Sequence, residues 1–183
     1  MASYIYELPF GRGKPFLNQG HMANALLGGW QLNGVTTFQA GNPVFITQVC
    51  NRANTDSGAQ RPDLAGNPKL SSGRPSGELV NEFFSTNAFV NVCPGREGPF
   101  TFGNAGRNIV IGPGINLWDF GLYKNMGFRG ENVRLQFRAE FFNLFNHPIF
   151  GQPGNTVGTP QFGKIGNTAI DSREIQFGLK LNF

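Results

Sequence analysis

Two stretches near the end of the chain alternate strictly between apolar and polar residues. In the first, Val133 to Asn143, the apolar positions are Val133, Leu135, Phe137, Ala139 and Phe141. In the second, Glu174 to Phe183, they are Ile175, Phe177, Leu179, Leu181 and Phe183. A period of two places successive residues on opposite faces of a strand. Each stretch is therefore predicted to be a strand with one apolar face and one polar face.

Alternation alone does not show whether the apolar face contacts lipid or a protein core, because a half-buried strand of a soluble β-sandwich has the same pattern. Three details favour lipid. Both stretches have about the ten residues of a tilted membrane-spanning strand. Their polar faces carry full charges, which suit a wet barrel interior, and Phe183 extends the apolar stripe to the last residue.

Three more strands are predicted upstream, at Ala2 to Leu8, Trp30 to about Gln48, and Leu117 to Asn125. One helical turn is expected at Met22 to Leu27. The connections alternate in length: 9–29 is moderate, 49–116 long, 126–132 short and 146–172 long. Outer-membrane barrels have long loops outside and short periplasmic turns, which places Phe183 on the periplasmic side.

Composition agrees with strands and turns, since the chain has 26 glycines, 12 prolines and 19 phenylalanines among 183 residues. Phenylalanine in such numbers fits aromatic girdles, although a phenylalanine-rich sandwich core remains an alternative. Apolar runs stay well short of a transmembrane helix, so strands would have to cross the membrane. The first residues lack the pattern of a secretory signal and already alternate, so the chain is expected to begin inside a strand of a longer protein.

Both cysteines, Cys50 and Cys93, lie in the long 49–116 connection. In an exported protein an isolated pair most simply forms one disulfide, stabilising by roughly 4 kcal/mol in the chain-entropy model. Two free buried thiols are the rival interpretation. A metal site would need more ligands than the sequence places nearby.

Catalytic and binding chemistry is sparse. The two histidines, His21 and His147, have no metalloprotease spacing, and a loop role is predicted for His147. The net charge of +4 is scattered, which argues against nucleic-acid binding. We therefore predict no enzymatic activity, no cofactor and no metal. The candidate binding residues are the polar ones expected to face a barrel lumen: Asp119, Arg134, Gln136, Arg138, Glu140 and Lys180.

Several motifs resemble one family along nearly the whole chain, in order. The strongest are the segments 135–148 (LQFRAEFFNLFNHP) and 173–183 (REIQFGLKLNF). Others are YELPFG at 6–11, LGGWQL at 27–32, QRPDL at 60–64 and FGNAGRN at 102–108. Together they resemble the C-terminal part of Oar-like TonB-dependent outer-membrane receptors, which carry a carboxypeptidase-regulatory-like domain.

The resemblance implies an all-β fold in the outer membrane, within a large transmembrane β-barrel of many strands. The alternation predicts that this chain forms an antiparallel, up-and-down sheet of about five long strands. That sheet should be open at both edges, because five strands cannot enclose so many long polar side chains. Residues 1–183 would form the C-terminal part of that barrel. The implied partners are outer-membrane lipid, the rest of the barrel and its plug domain, the TonB complex, and the barrel-assembly machinery. The last of these would recognise the final strand through Phe177, Leu179, Leu181 and Phe183.

The function implied is uptake of an unknown substrate across the outer membrane. Two alternatives stay open at this point. One is a surface-displayed binding or adhesion protein that does not transport, and the other is a soluble β-sandwich binding module.

Overall fold

The computed structural model describes residues 1–11, 13–17, 21–55, 59–91, 100–128 and 133–183, the side chains of residues 21–23 and 128 excepted. Most of its regular structure is strand. In chain order the elements are β1 (Ala2–Glu7), α1 (His21–Leu27), β2 (Trp30–Gln39), β3 (Pro43–Val44), β4 (Thr47–Gln48), β5 (Asp63–Leu64), α2 (Ser76–Asn81), a 3₁₀ turn (Thr86–Ala88), β6 (Phe89–Val90), β7 (Val110–Ile111), β8 (Ile115–Phe128), β9 (Val133–Phe142), β10 (Ile149–Phe150), β11 (Thr156–Val157), β12 (Thr168–Ile170) and β13 (Glu174–Asn182).

The chain forms two compact units, each built from separate stretches of sequence. The sheet unit contains Met1–Gln39, Ile115–Pro148 and Asp171–Phe183. The loop unit contains Ala40–Gly114 and Ile149–Ile170, the two connections that leave the sheet after β2 and after β9.

The sheet unit is one antiparallel sheet of the five long strands, in the order β1, β2, β8, β9, β13. Each strand pairs with the next long strand along the chain, as expected for up-and-down topology. Among the residues that the structure describes, β1 and β13 are the two edges and do not pair with each other. The predicted all-β, open, five-stranded antiparallel sheet is confirmed.

Strand register sorts the side chains into an apolar face and a polar face. Where β13 pairs with β9, Phe177 lies opposite Ala139 and Leu179 opposite Phe137. On the other face, Lys180 lies opposite Gln136. The apolar face is open, since Phe177 is 68% and Leu179 70% exposed. An apolar surface of this extent indicates contact with another apolar phase.

Several predicted strand ends differ from the observed ones. β2 ends at Gln39 and not near Gln48, because residues 43–44 pair with β7 and residues 47–48 with β11. Gly41 permits this change of partner: a Cβ there would lie 1.7 Å from the Gly112 carbonyl oxygen. β9 ends at Phe142, before the predicted start of the 146–172 connection, because Asn143 has φ +50° and leaves the extended conformation. β8 is longer than predicted, whereas α1 confirms the expected helical turn.

The loop unit has a hydrophobic core of its own, which the prediction of turn-rich loops at 49–116 and 146–172 missed. Phe84, Phe89 and Phe162 form its centre, with ring centroids 5.2–5.8 Å apart in edge-to-face contacts. Phe84 is only 2% exposed. Around them pack further buried residues from both stretches: Val44, Ile46, Ala88, Ala105, Val110 and Val157. The two connections therefore fold together as one body.

The QRPDL motif at 60–64 and the FGNAGRN motif at 102–108 cross each other inside the loop unit. Asp63 Oδ1 accepts a hydrogen bond from the Asn104 backbone at 3.0 Å, and Asn104 Oδ1 accepts one from the Leu64 backbone at 2.6 Å. Pro62 is fully buried at the crossing. Gly103 allows the close approach, because a Cβ there would lie 2.1 Å from the Arg61 carbonyl oxygen. The motifs at 60–64 and 102–108 thus have a structural role.

A Gly103→Ala variant tests this crossing. We expect it to destabilise the loop unit by about 2 kcal/mol, since the backbone must move to admit a methyl group. Under native conditions that raises protease cleavage within 40–114 by about 30-fold. The matched control is Gly66→Ala, whose added Cβ would meet atoms only at 3.9 Å. Equal cleavage rates in the two variants would contradict the role assigned to Gly103.

Candidate functional site

The polar face of the sheet carries a connected row of hydrogen-bonding side chains from β8 and β9. Tyr123 and Arg138 lie directly opposite each other. The Tyr123 hydroxyl donates to Glu140 Oε1 at 2.6 Å, and the Arg138 guanidinium lies 5.2 Å from the centre of the Tyr123 ring. Each group therefore fixes its neighbour, as in a preorganised polar network.

The same row continues towards the end of the sheet that carries Phe183. Arg138 Nε donates to Gln136 Oε1 at 2.6 Å. Gln136 Nε2 in turn donates to Asn125 Oδ1 at 2.8 Å. Three consecutive polar-face positions of β9 are thus held by hydrogen bonds, two of them to β8. We call the five side chains Asn125, Gln136, Arg138, Tyr123 and Glu140 the polar row.

A groove of about 340 Å³ lies beside the Glu140 end of the polar row. Gly121 has no side chain opposite Glu140, and the Asn33 amide oxygen would lie 2.0 Å from a Cβ placed there. The polar-face residues lining the groove, with Gly121, are Ser3, Ile5, Asn33, Val35, Asp119, Tyr123, Glu140 and Phe142. Apolar and hydrogen-bonding groups lie next to each other, as in sites for small organic ligands.

All six residues predicted to face a lumen lie on this polar face: Asp119, Arg134, Gln136, Arg138, Glu140 and Lys180. Gln136, Arg138 and Glu140 belong to the polar row. Lys180 lies opposite Gln136. That this face lines a lumen stays a prediction.

Asp119 has a different task, which the sequence did not indicate. Its Oδ1 accepts a hydrogen bond from the Asn143 backbone at 3.0 Å, at the point where β9 ends. Asn143 is 3% exposed, and its Nδ2 donates to the carbonyl oxygens of His147 and Asp171. The His147 backbone N–H donates back to Asn143 Oδ1 at 3.0 Å. The Asn143 side chain therefore joins the end of β9 to the start of the stretch that leads into β13.

The four residues predicted to act in barrel assembly lie on or beyond β13. Phe177, Leu179 and Leu181 share its apolar face, and Phe183 is 99% exposed just after the strand. Recognition by the assembly machinery stays a prediction.

The predicted Cys50–Cys93 disulfide involves a residue outside the described part of the chain, because residues 92–99 are not described. Asn91, just before that segment, has its Oδ1 3.3 Å from Cys50 Sγ. The disulfide stays a prediction.

The loop unit contains an ion pair between Arg52 and Asp63, beside the motif crossing. Partial burial raises the pKa of the Asp63 carboxyl, but hydrogen bonds from Arg52 and the Asn104 backbone, with the Arg52 charge, outweigh it. The pKa of Asp63 therefore lies below its ordinary value of 3.8. A lowered pKa means that the stabilising contribution is complete above the ordinary value and is lost as pH falls through the folded-state value.

We accordingly expect the loop unit to become more sensitive to pepsin as pH falls below about 4. Asp63→Asn should remove part of this pH dependence and leave the unit more sensitive at neutral pH to a neutral protease. The control is Glu78→Gln, at an exposed carboxylate of α2. An unchanged pH profile in Asp63→Asn would refute the linkage.

Among the residues that the structure describes, no group of three or more histidine, cysteine, aspartate or glutamate side chains could hold a metal ion. Within the same residues, no helix has the length and apolar character needed to span a membrane.

Comparison with known proteins gives one family. Residues 1–176 match the family model described as "Outer membrane beta barrel domain". No curated protein and no solved structure matches the chain. The match covers nearly the whole sequence and agrees with the open antiparallel sheet and its apolar face. The chain belongs to the outer membrane beta barrel domain family and is a protein of the outer membrane.

Proposed function

We propose that the chain supplies the C-terminal strands and two surface loops of an Oar-like TonB-dependent receptor, which takes up a substrate across the outer membrane. The observation that carries the proposal is the polar face of the five-stranded sheet. Long side chains such as Arg138, Glu140 and Lys180 share that face. An eight-stranded barrel has an interior only just filled by side chains. Five strands with such a face therefore require a larger barrel, and the largest plugged barrels are transporters.

In this proposal the polar face meets the plug domain and the water around it. The polar row would provide hydrogen bonds, and the adjoining groove would admit a plug side chain or a passing substrate. The remaining strands would pair with β1 and β13, because open sheet edges are not tolerated in lipid. The TonB complex would act on the full-length protein.

Uptake can be tested in the native host without knowing the substrate. Cells are grown in complex medium, and mass spectrometry follows which compounds disappear from it. We expect the same compounds to remain when the gene is deleted and when tonB is deleted. Full-length protein returned from a plasmid should restore their uptake. If tonB deletion leaves the uptake of those compounds unchanged, energy-coupled transport is wrong.

A surface binding or adhesion protein is the second candidate, and the loop unit favours it. A loop body with its own core can present a defined surface. In that case deletion would abolish binding or attachment while uptake of every medium component stayed normal. The soluble β-sandwich alternative disagrees with the outer-membrane family.

Recognition of the last strand by the barrel-assembly machinery gives a further prediction. Deleting Phe183 in the full-length protein should lower its outer-membrane level several-fold. Phe183→Trp should preserve the level, since it keeps a terminal aromatic side chain. Phe38→Ala removes an exposed aromatic from the apolar face elsewhere and serves as the control. Unchanged levels after deletion of Phe183 would contradict the prediction.

A further inference from the structure

Lys124 interrupts the apolar face of the sheet. It lies opposite Trp30 on β2 and Phe137 on β9, between Leu122 and Met126 on β8. Among the described residues of the five long strands, it is the one charged side chain on that face. A lysine on the lipid side of a barrel is strongly destabilising at the bilayer midplane and much less so near the interface. The position of Lys124 close to the C-terminal end of β8 therefore indicates a site near the membrane interface.

The C-terminal end of α1 covers this lysine. Lys124 Nζ donates to the Leu26 carbonyl at 2.9 Å and to the Gly28 carbonyl at 2.5 Å. Lys124 is only 5% exposed, whereas Leu179 on the same face is 70% exposed. The last carbonyls of a helix lack intrahelical donors and carry partial negative charge. The Lys124 ammonium group thus provides hydrogen-bond donors for the carbonyl oxygens at the end of α1. In return, α1 shields the lysine charge from its surroundings.

Trp30 completes the arrangement. Its ring centre lies 5.1 Å from Lys124 Nζ, and its Nε1 donates to the Leu26 carbonyl at 2.9 Å. We call Lys124, Trp30 and the Leu26 and Gly28 carbonyls the helix clamp. Because Lys124 belongs to the apolar face, the clamp holds the end of α1 on the apolar side of the sheet.

The backbone after α1 is fitted closely to β8. Gly29 has φ +71°, and a Cβ there would lie 2.2 Å from the Asn125 carbonyl oxygen. The Asn125 backbone N–H donates to the Gly29 carbonyl at 2.8 Å. A residue with a side chain would push α1 away from the strand. The glycine therefore fixes the helix against the sheet.

The exposed side chains that the structure describes in α1 are apolar. Leu26 is 68% and Leu27 47% exposed, and Phe16 in the preceding turn is 59% exposed. The sequence of α1, His-Met-Ala-Asn-Ala-Leu-Leu, contains no lysine, arginine, aspartate or glutamate. These leucines adjoin the apolar face that an outer-membrane barrel presents to lipid. Lysine and tryptophan at the end of a spanning strand are typical of the membrane interface.

We propose that α1 is an interfacial helix that lies in the membrane leaflet at the Phe183 end of the sheet, with Leu26 and Leu27 against lipid acyl chains. The helix clamp fastens it to the outside of the barrel. Lipid is expected to cover Leu26 and Leu27 because these side chains continue the apolar, lipid-facing side of the sheet. The proposal rests on the outer-membrane family and is independent of transport.

The test uses full-length protein in phosphatidylethanolamine and phosphatidylglycerol vesicles, with a nitroxide label at Leu26→Cys in a Cys50→Ser, Cys93→Ser background. Collisions with oxygen report acyl chains, and collisions with a water-soluble nickel chelate report water. We expect the oxygen-to-chelate ratio at position 26 to approach that of a label at Leu179→Cys on the apolar face. It should exceed several-fold that of Val90→Cys in the loop unit. A ratio like that of Val90→Cys would overturn the proposal.

A second variant tests the clamp itself. Adding Lys124→Gln should lower the ratio at position 26 several-fold, because α1 loses both hydrogen bonds and swings away from the sheet. Lys180→Gln is the matched control, since Lys180 lies on the polar face of β13 near the same end. A heat-modifiable band on electrophoresis verifies that each variant has assembled. If an assembled Lys124→Gln protein keeps the original ratio, the clamp does not hold the helix.

Discussion

Phe84→Ala will open the loop unit while leaving the sheet assembled. Phe84 is 2% exposed and contacts both Phe89 and Phe162 edge to face. Truncating a buried phenylalanine costs about 3–5 kcal/mol, since the surrounding side chains fill the cavity only partly. Protease cleavage within the loop unit should therefore rise by about 100-fold or more under native conditions.

The control and the readout separate the two units. Phe102→Ala removes an aromatic side chain that is 63% exposed, and should change cleavage little. Heat-modifiability of the full-length protein reports the barrel and should remain in both variants. If Phe84→Ala is as resistant to protease as Phe102→Ala, the loop unit is not stabilised by this core.

Asn143→Ala will weaken the sheet unit where β9 ends. The variant loses three side-chain hydrogen bonds, two to His147 and one to Asp171, and it places alanine at φ +50°. Each hydrogen bond is worth about 1 kcal/mol, and the left-handed conformation costs alanine about 1 kcal/mol. We expect a loss of about 3–4 kcal/mol, seen as a lower urea midpoint for the folded, heat-modifiable band.

Two further variants separate the causes. Asn143→Gly tolerates the positive φ but still loses the hydrogen bonds, so it should recover only part of the loss. Asn146→Ala has nearly the same φ, +51°, is exposed, and loses one hydrogen bond to the Arg173 backbone. It should cost the least of the three. Equal midpoints for Asn143→Ala and Asn146→Ala would show that burial of Asn143 is unimportant.

The sheet could be predicted from sequence because its strands are long enough for alternation to be visible. Phe137 and Arg138 are successive residues of β9, so they lie on its apolar and polar faces respectively. The pairing of β9 with β13 places the apolar faces of the two strands on the same side. The strand ends were less visible, because Asn143 terminates β9 through a backbone torsion that many asparagines do not adopt. The same alternation places Lys124 in phase with Leu122, so its position on the apolar face is visible in the sequence.

The loop unit could not be predicted in this way. Strands such as β4 and β11 have only two residues, too few for a period to appear. Its core joins residues far apart in sequence, so no local window contains the pattern. The polar row was predicted in part: Gln136, Arg138 and Glu140 were expected on one face, but the bond from Tyr123 to Glu140 depends on the register of β8 against β9.

The parallel pairing of β4 with β11 has a consequence for the order of folding. It places Thr47 beside Thr156, 109 residues later in the chain. Closing so long a chain segment is entropically costly and slow. Phe84 and Phe89 of the first stretch both contact Phe162 of the second, so the core is complete only after both stretches are in place. A graft of the loop unit between relatives therefore has to exchange both stretches together.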